Sequence, residues 1–387
     1  MKGFKEEAKR ILTFWSENMI DHKNGGFYGR IDNQNRLHAD ASKGAVLNCR
    51  ILWTFSAAYR IFRNPTYLQI AERAFHYIMN YFVDKKYGGL YWALDAKGNV
   101  LNAKKQIYAQ GFGIYGLAEF YLATSNKQAL ALATDIFHLL EKHRDRVNGG
   151  YFEAFTQDWQ PIADMRLSDK DANEKKSMNT HLHILEPYTN LYRAWKNKQL
   201  KTALYDLIAI FKNKIIDPSA YHLNLFFNEE WQTKSQTVSY GHDIEAAWLL
   251  VEAASVLNDD ELEEEISKIA VGIADKTKEG IQADGSLIYE KFPDGVDTDR
   301  HWWVQAEAVV GFMYVYQITQ DQVYIKLAEA TWHYIQQYLI DYTNGEWYWS
   351  ISEDSERNLT EDKAGFWKCP YHNGRMCFEM MVHFGLE

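Results

Sequence analysis

Cysteine is scarce in this chain. Only Cys49, Cys369 and Cys377 among its 387 residues carry thiols, too few for a disulfide framework at this length and in keeping with a reducing cytoplasm. No run of about 18 apolar residues occurs, so nothing is expected to span a membrane. The N-terminal MKGFKEEAKRILTFW sets charges on both sides of a short apolar stripe. That is an amphipathic helix and not a signal peptide, whose apolar core is unbroken. Positive charge is in deficit as well: 42 Lys and Arg stand against 52 Asp and Glu, a net −10, without the basic stripe of a nucleic-acid footprint. Linkers, low-complexity runs and shifts of composition are missing too, so residues 1–387 read as one domain. What the chain has in plenty is aromatic rings, 15% of residues with 13 Trp and 25 Tyr. Part of these belong to a core, and flat rings are also what a sugar site uses for stacking.

Several of those rings recur in one phrase. NGGFYGR (24–30), YGGLYW (87–92), NGGYFE (148–153), DGSLIYE (284–290) and NGEWYWS (344–350) each join a tight turn to aromatic residues. The spacing is roughly 60 residues, apart from one gap about twice as long. HLNLFFNEEW (222–231) fills that gap as a sixth copy without glycines. Helical periodicity occupies the rest and predicts helices near 4–20, 43–62, 65–82, 104–123, 127–143, 178–197, 199–214, 240–257, 260–277, 301–318, 322–340 and 370–383. The expected fold is therefore all-α: an (α/α)6 barrel of about twelve helices with short β-hairpin-like rim loops. An open solenoid is the competing architecture, disfavoured because neither end reads as a polar capping repeat. Each phrase leads into an even-numbered helix, so the starts of those helices are expected to share one central cavity.

Polar residues that do not suit a core collect at those starts. Arg50 lies in KGAVLNCRILW and Tyr108 in KKQIYAQGF. SMNTHLHILEPYT carries Asn179, His183 and Glu186 at i, i+4 and i+7, one helical face, while His181 points elsewhere. SYGHDIEAAW carries His242, Glu245 and Trp248 in steps of three, with Asp243 turned away. RHWWVQAEAVVGF holds Trp303 and Glu307, and WKCPYHNGRMCFEMM holds His372 and Arg375. A lone histidine on such a face is usually a satisfied core residue; three at the starts of different inner helices argue for a site. Pro187 removes the hydrogen bond to the carbonyl of His183, so a kink is expected there, with an earlier helix end as the alternative.

Two motifs are set aside. GFGIYG (111–116) matches G-x-G-x-x-G but lies inside a helical pattern, where close helix packing accounts for it better than dinucleotide binding. Cys369, His372 and Cys377 lack the second pair that a tetrahedral zinc site needs. A His/Glu metal centre from His183, His242, Glu245 and His372 is a further alternative, and no metal is expected.

The stretches MNTHLHILEPYTNLYRAW, SYGHDIEAAWLL, WWVQAEAVVGF and WKCPYHNGRMCFEMM resemble the N-acylglucosamine 2-epimerase superfamily and, within it, the cellobiose 2-epimerases. The resemblance covers nearly the whole chain and implies the (α/α)6 barrel. It implies that His183, His242 and His372 are catalytic and that Arg50, Asn179, Glu245, Trp248, Trp303, Glu307 and Trp367 surround the sugar, with Tyr108 beside them. Pro187 stands where relatives often have a small residue. The activity implied is epimerisation at C2 of the reducing-end glucose of a β-1,4-linked disaccharide, cellobiose or lactose, by a cytoplasmic isomerase. Opening the ring exposes the C1 aldehyde, which acidifies the hydrogen on C2. A base then forms an enediolate, and a proton returns on the opposite face. Histidine can give or take a proton near neutral pH, and Arg50 suits the developing oxyanion. His242 and His372 are the expected pair of C2 bases, with His183 assisting ring opening.

No cofactor is expected. The implied partner is a small-molecule reducing sugar, with neither nucleic acid nor membrane, and the chain is a monomer or weak homodimer. Rival readings are a mannose 2-epimerase or aldose–ketose isomerase of the same superfamily, a non-catalytic sugar-binding barrel, and an inverting glycosidase using Glu245 and Glu307 some 6.5–9.5 Å apart.

Overall fold

The computed structural model describes residues 1–386. Its helices are α1 (Phe4–Asn18), α2 (Ala45–Phe62), α3 (Pro65–Tyr77), α4 (Ile107–Thr124), α5 (Lys127–His143), α6 (Met178–Ala194), α7 (Lys198–Ile210), α8 (Tyr240–Leu257), α9 (Asp260–Thr277), α10 (Trp302–Thr319), α11 (Gln322–Tyr334) and α12 (His372–Val382). Even-numbered helices contact one another in the order α2, α4, α6, α8, α10, α12, and α12 returns to α2. That last contact closes the ring and excludes an open solenoid, giving the (α/α)6 barrel. Inner helices such as α4 and α10 are buried along nearly their whole length, whereas outer helices such as α5 bury one stripe. An apolar surface on all sides suits a helix packed between neighbours on every side.

Helix ends depart from expectation where the outer row meets the rim. In three repeats the expected long outer helix stops early and continues as a π turn, at Ile78–Phe82, Phe211–Ile215 and Ile335–Leu339. The start of α4 falls at Ile107 and that of α12 at His372, each shortly after the position that periodicity suggested.

The aromatic phrases do more than turn the chain. The expectation of local hairpins is only partly right, because the main pairing runs between repeats. Before every inner helix but α12, two residues pair with the phrase of the next repeat: Lys43–Gly44 with Ala93–Leu94, Lys105–Gln106 with Ala154–Phe155, and Lys176–Ser177 with Phe226–Phe227. Val238–Ser239 pair with Glu290 and Lys291, and Arg300–His301 with Ser350–Ile351. A bridge between Ile31 and Ala364 completes the circuit. Local periodicity cannot reveal such pairs, since the partners lie a whole repeat apart. The first N–H groups of α2, α4, α6 and α10 donate to carbonyls of that next phrase (Trp92, Glu153, Leu225, Trp349), which satisfies donors that a helix start leaves free.

Beneath this ladder, Asp21, Asp84, Asp145 and Asp341 each accept backbone N–H bonds from the turn that follows them. Each also pairs with a buried lysine, Lys43, Lys105, Lys176 and Lys363 in turn. The residues expected to point away from the cavity have a task here too. His181 Nε2 accepts the N–H of Tyr151, and Asp243 accepts that of Leu223. Gln110 and Gln305 do the same for Leu90 and Leu287.

The kink expected from Pro187 is present: His183 has φ −87 and ψ 17 inside α6. Its freed carbonyl approaches α4 so closely that a Cβ on Gly111 would lie 2.1 Å from the oxygen. A Cβ on Gly116 would lie 2.6 Å from the carbonyl of Cys49. Those glycines of GFGIYG therefore serve helix packing, as expected, and bring three inner helices together just below the rim.

Candidate active site

The inner-helix starts surround a cavity of about 660 Å³. His183 on α6, His242 on α8 and His372 on α12 all line it, with Arg50, Tyr108 and Asn179. Glu245, Trp303 and Trp367 line it as well. Trp303 has its ring 4.7 Å from that of His242 and 5.7 Å from that of His372, so one indole faces both imidazoles. Two expected sugar contacts are placed differently. Trp248 and Glu307 do not line the cavity; Trp248 Nε1 donates to Glu307 Oε2 at 2.9 Å behind its wall.

All three imidazoles have Nδ1 engaged. His183 Nδ1 lies 3.1 Å from Glu186 Oε2, His372 Nδ1 2.6 Å from Glu307 Oε1, and His242 Nδ1 2.8 Å from Ser239 Oγ. A carboxylate can only accept, so the first two histidines carry their proton on Nδ1 and leave a lone pair on Nε2. Burial pushes all three below the ordinary histidine value. For His242 burial with His183 nearby brings it to about 3. For His183 burial outweighs the help of Glu186, and His372 is held well down by burial and then by Arg50 and Arg375. Neutral imidazoles able to accept a proton result.

Behind them stands one cation. Arg375 is buried; it donates through Nη1 to Glu186 and through Nη2 to Glu245 at 2.8 Å and Glu307 at 2.7 Å. Tyr371, one turn before it, donates to Glu186 as well. The carboxylates respond in opposite ways. Burial raises Glu186, but Arg375 and His183 reverse that and hold it below the usual range. Glu245 is pushed well up by burial and by Glu307 beside it. Arg375 was visible as a polar residue of α12 without a role. The spacing Tyr371, Arg375 at i, i+4 was the available signal that both belong to the face carrying Glu186's partners.

Arg50 differs from Arg375 in having no carboxylate partner among the described residues. Its Nη2 donates to the Tyr108 hydroxyl at 2.8 Å, and its guanidinium lies 4.2 Å from the centre of the Phe112 ring. Arg50 Nε, Asn179 Oδ1 and Glu245 Oε2 are buried atoms without a protein partner. All three belong to residues lining the cavity, and buried polar atoms left without a partner are uncommon away from functional sites.

The metal alternative fits poorly. Glu245, Glu307 and His372 are the group among the described residues that brings ligand atoms within 4.8 Å of one another. Both carboxylates already accept from Arg375, and His372 spends Nδ1 on Glu307. The same closeness of Glu245 and Glu307 is shorter than the roughly 6.5–9.5 Å that an inverting glycosidase needs for its water.

The sequence and the fold are both similar to known proteins. The sequence model of the family described as N-acylglucosamine 2-epimerase (GlcNAc 2-epimerase) matches residues 25–374. Cellobiose 2-epimerase of Bacteroides fragilis is 52% identical over 380 residues, 97% of each chain. Cellobiose 2-epimerase of Dictyoglomus turgidum is 38% identical over 379 residues, 98% of this chain and 97% of its own. The structure of cellobiose 2-epimerase from Bacillus thermoamylovorans B4167 superposes with a TM-score of 0.95 at 41% identity and 98% coverage of both chains.

Proposed function

The chain belongs to the N-acylglucosamine 2-epimerase family, and on that premise we propose that it epimerises C2 of the reducing-end glucose of β-1,4-linked disaccharides. Cellobiose becomes 4-O-β-D-glucosyl-D-mannose, and lactose becomes epilactose. The observation that carries the reading is the convergence of three neutral imidazoles from α6, α8 and α12 on one cavity. His183 assists ring opening by moving a proton at O1. His242 and His372 face the opened sugar with Nε2. One removes the C2 proton, the electron pair passes into the C1–C2 enediolate, and the other returns a proton to the opposite face of C2. Arg50 balances the negative charge on O1 in the intermediate, since a desolvated guanidinium without a carboxylate partner is free to meet a developing anion. Trp303 and Trp367 provide the stacking walls, and Glu245 and Asn179 hold hydroxyls. Trp248 and Glu307 contribute from behind, by holding His372.

The reading carries a cellular setting with it. No helix among the described residues is long and apolar enough to cross a membrane. Three buried free thiols suit a reducing cytoplasm, where the enzyme works as a monomer or weak homodimer on a free reducing sugar and without a cofactor. Incubation with cellobiose tests the activity: a glucosyl-mannose product with no free glucose supports epimerisation. Release of glucose, or an untouched substrate beside a converted free hexose, overturns the assignment.

A further inference from the structure

Two of the three imidazoles bond directly to a carboxylate, and His242 does not. Its Nδ1 meets Ser239 Oγ at 2.8 Å, on the residue that precedes α8. Ser239 is wholly buried, and its register partner in the neighbouring strand is Glu290. Directly opposed residues in such a pair project to the same face. The Glu290 side chain therefore stands beside the Ser239 hydroxyl, and the Ser239 and Tyr289 hydroxyls act to lower its carboxyl against burial. Glu290 is itself partly exposed. A path of three groups therefore leads from the cavity wall to solvent: His242, Ser239, Glu290.

A serine hydroxyl has one proton to give. When it goes to the Glu290 carboxylate, the contact with His242 requires Nδ1–H to donate to Oγ. The lone pair is then on Nε2, the nitrogen left for the cavity. When Glu290 is itself protonated it can donate to Ser239, whose hydrogen turns to Nδ1. His242 then holds its proton on Nε2 and cannot act as a base. We propose that Glu290, acting through Ser239, selects the tautomer of His242, and is a positioning residue for the base. It supplies at one remove what Glu186 supplies to His183 and Glu307 to His372. The inference rests on the reading of His242 as a C2 base.

The surroundings place the switch near neutrality. Burial and the facing carboxylates Asp297 and Asp171 raise Glu290 to about 7, against hydrogen bonds from Ser239 and Tyr289. His242 faces His183 and Glu307 and stays neutral throughout.

The test combines turnover with a direct view of the tautomer. In Glu290→Gln, kcat should fall about 10- to 100-fold, the worth of a hydrogen bond to a charged group, with KM little changed. The native kcat should decline as pH drops through about 7, and this limb should vanish in Glu290→Gln and return in Glu290→Asp. Ser239→Ala should lose a similar factor, and the double variant should be no worse than Ser239→Ala alone. In nitrogen-15 histidine spectra, His242 should show an unprotonated Nε2 in the native enzyme and a protonated Nε2 in Glu290→Gln. Native kcat, native pH profile and an unchanged tautomer in Glu290→Gln would overturn the proposal, as would losses that add in the double variant. Turnover retained in His242→Ala would remove the base assignment instead, a distinguishable failure because the tautomer spectrum does not depend on activity.

Discussion

The rim and the barrel interior both bury charge, and they do so in opposite ways. At the rim each aspartate meets one lysine: Asp21 with Lys43 and Asp145 with Lys176 stand at 2.8 and 2.7 Å, and the aspartates are held below the usual range. In the interior one arginine serves three carboxylates, with two histidines attached. Balanced pairs fix protons in place and hold the fold. An unbalanced cluster pushes Glu186 and Glu245 in opposite directions and leaves neutral imidazoles ready to exchange protons. On the proposed reading, the difference separates buried charge that shapes the molecule from buried charge that serves catalysis.

Variants can break that contrast at either end. The largest loss should follow from His372→Ala or His242→Ala: about 10²–10⁴ in kcat, the range of a positioned acid–base group, with circular dichroism unchanged. Arg375→Met comes next. It removes the cation shared by two histidine–carboxylate pairs, so both kcat and stability should suffer, the latter by about 3–5 kcal/mol; native kcat in a folded Arg375→Met would end the idea of a shared cation. Lys105→Met strands Asp84 and should cost a similar 3–5 kcal/mol in denaturant unfolding, yet leave kcat of the folded enzyme near native. A catalytic loss in that variant would blur the two regions into one.

Acid should separate the regions more gently. Histidines that stay neutral in the fold bind fewer protons than in the unfolded chain, so stability falls as pH drops below about 6.5. For His242 the decline continues toward about 3. Asp84, held down to about 2 by its partners against burial, stabilises above the ordinary aspartate value and surrenders that only as pH falls from about 4 toward 2. Thermal melts should therefore show an early loss that His242→Gln reduces and a later one that Asp84→Asn reduces.

Much of this was legible beforehand, for a physical reason. The barrel follows from a phrase repeated six times and from helical periodicity between the copies, both local properties of sequence. Which residues share a face follows from spacing as well, and Asn179, His183, His242 and His372 do meet in the cavity. Depth along a helix is harder to read. Trp248 is six residues beyond His242, about 9 Å further along the axis at 1.5 Å per residue, which carries it below the cavity wall to Glu307. Ser239 and Glu290 escaped notice because they meet only through strand pairing between repeats, and no spacing rule links positions so far apart.

The account turns on abstraction of a proton from C2 of an opened sugar by the converging histidines. Cellobiose turned over in D₂O and followed by NMR measures that step itself. The prediction is a glucosyl-mannose carrying deuterium at C2, formed about 10²–10⁴-fold more slowly by His242→Ala or His372→Ala. An epimer that retains its original C2 hydrogen throughout would contradict it.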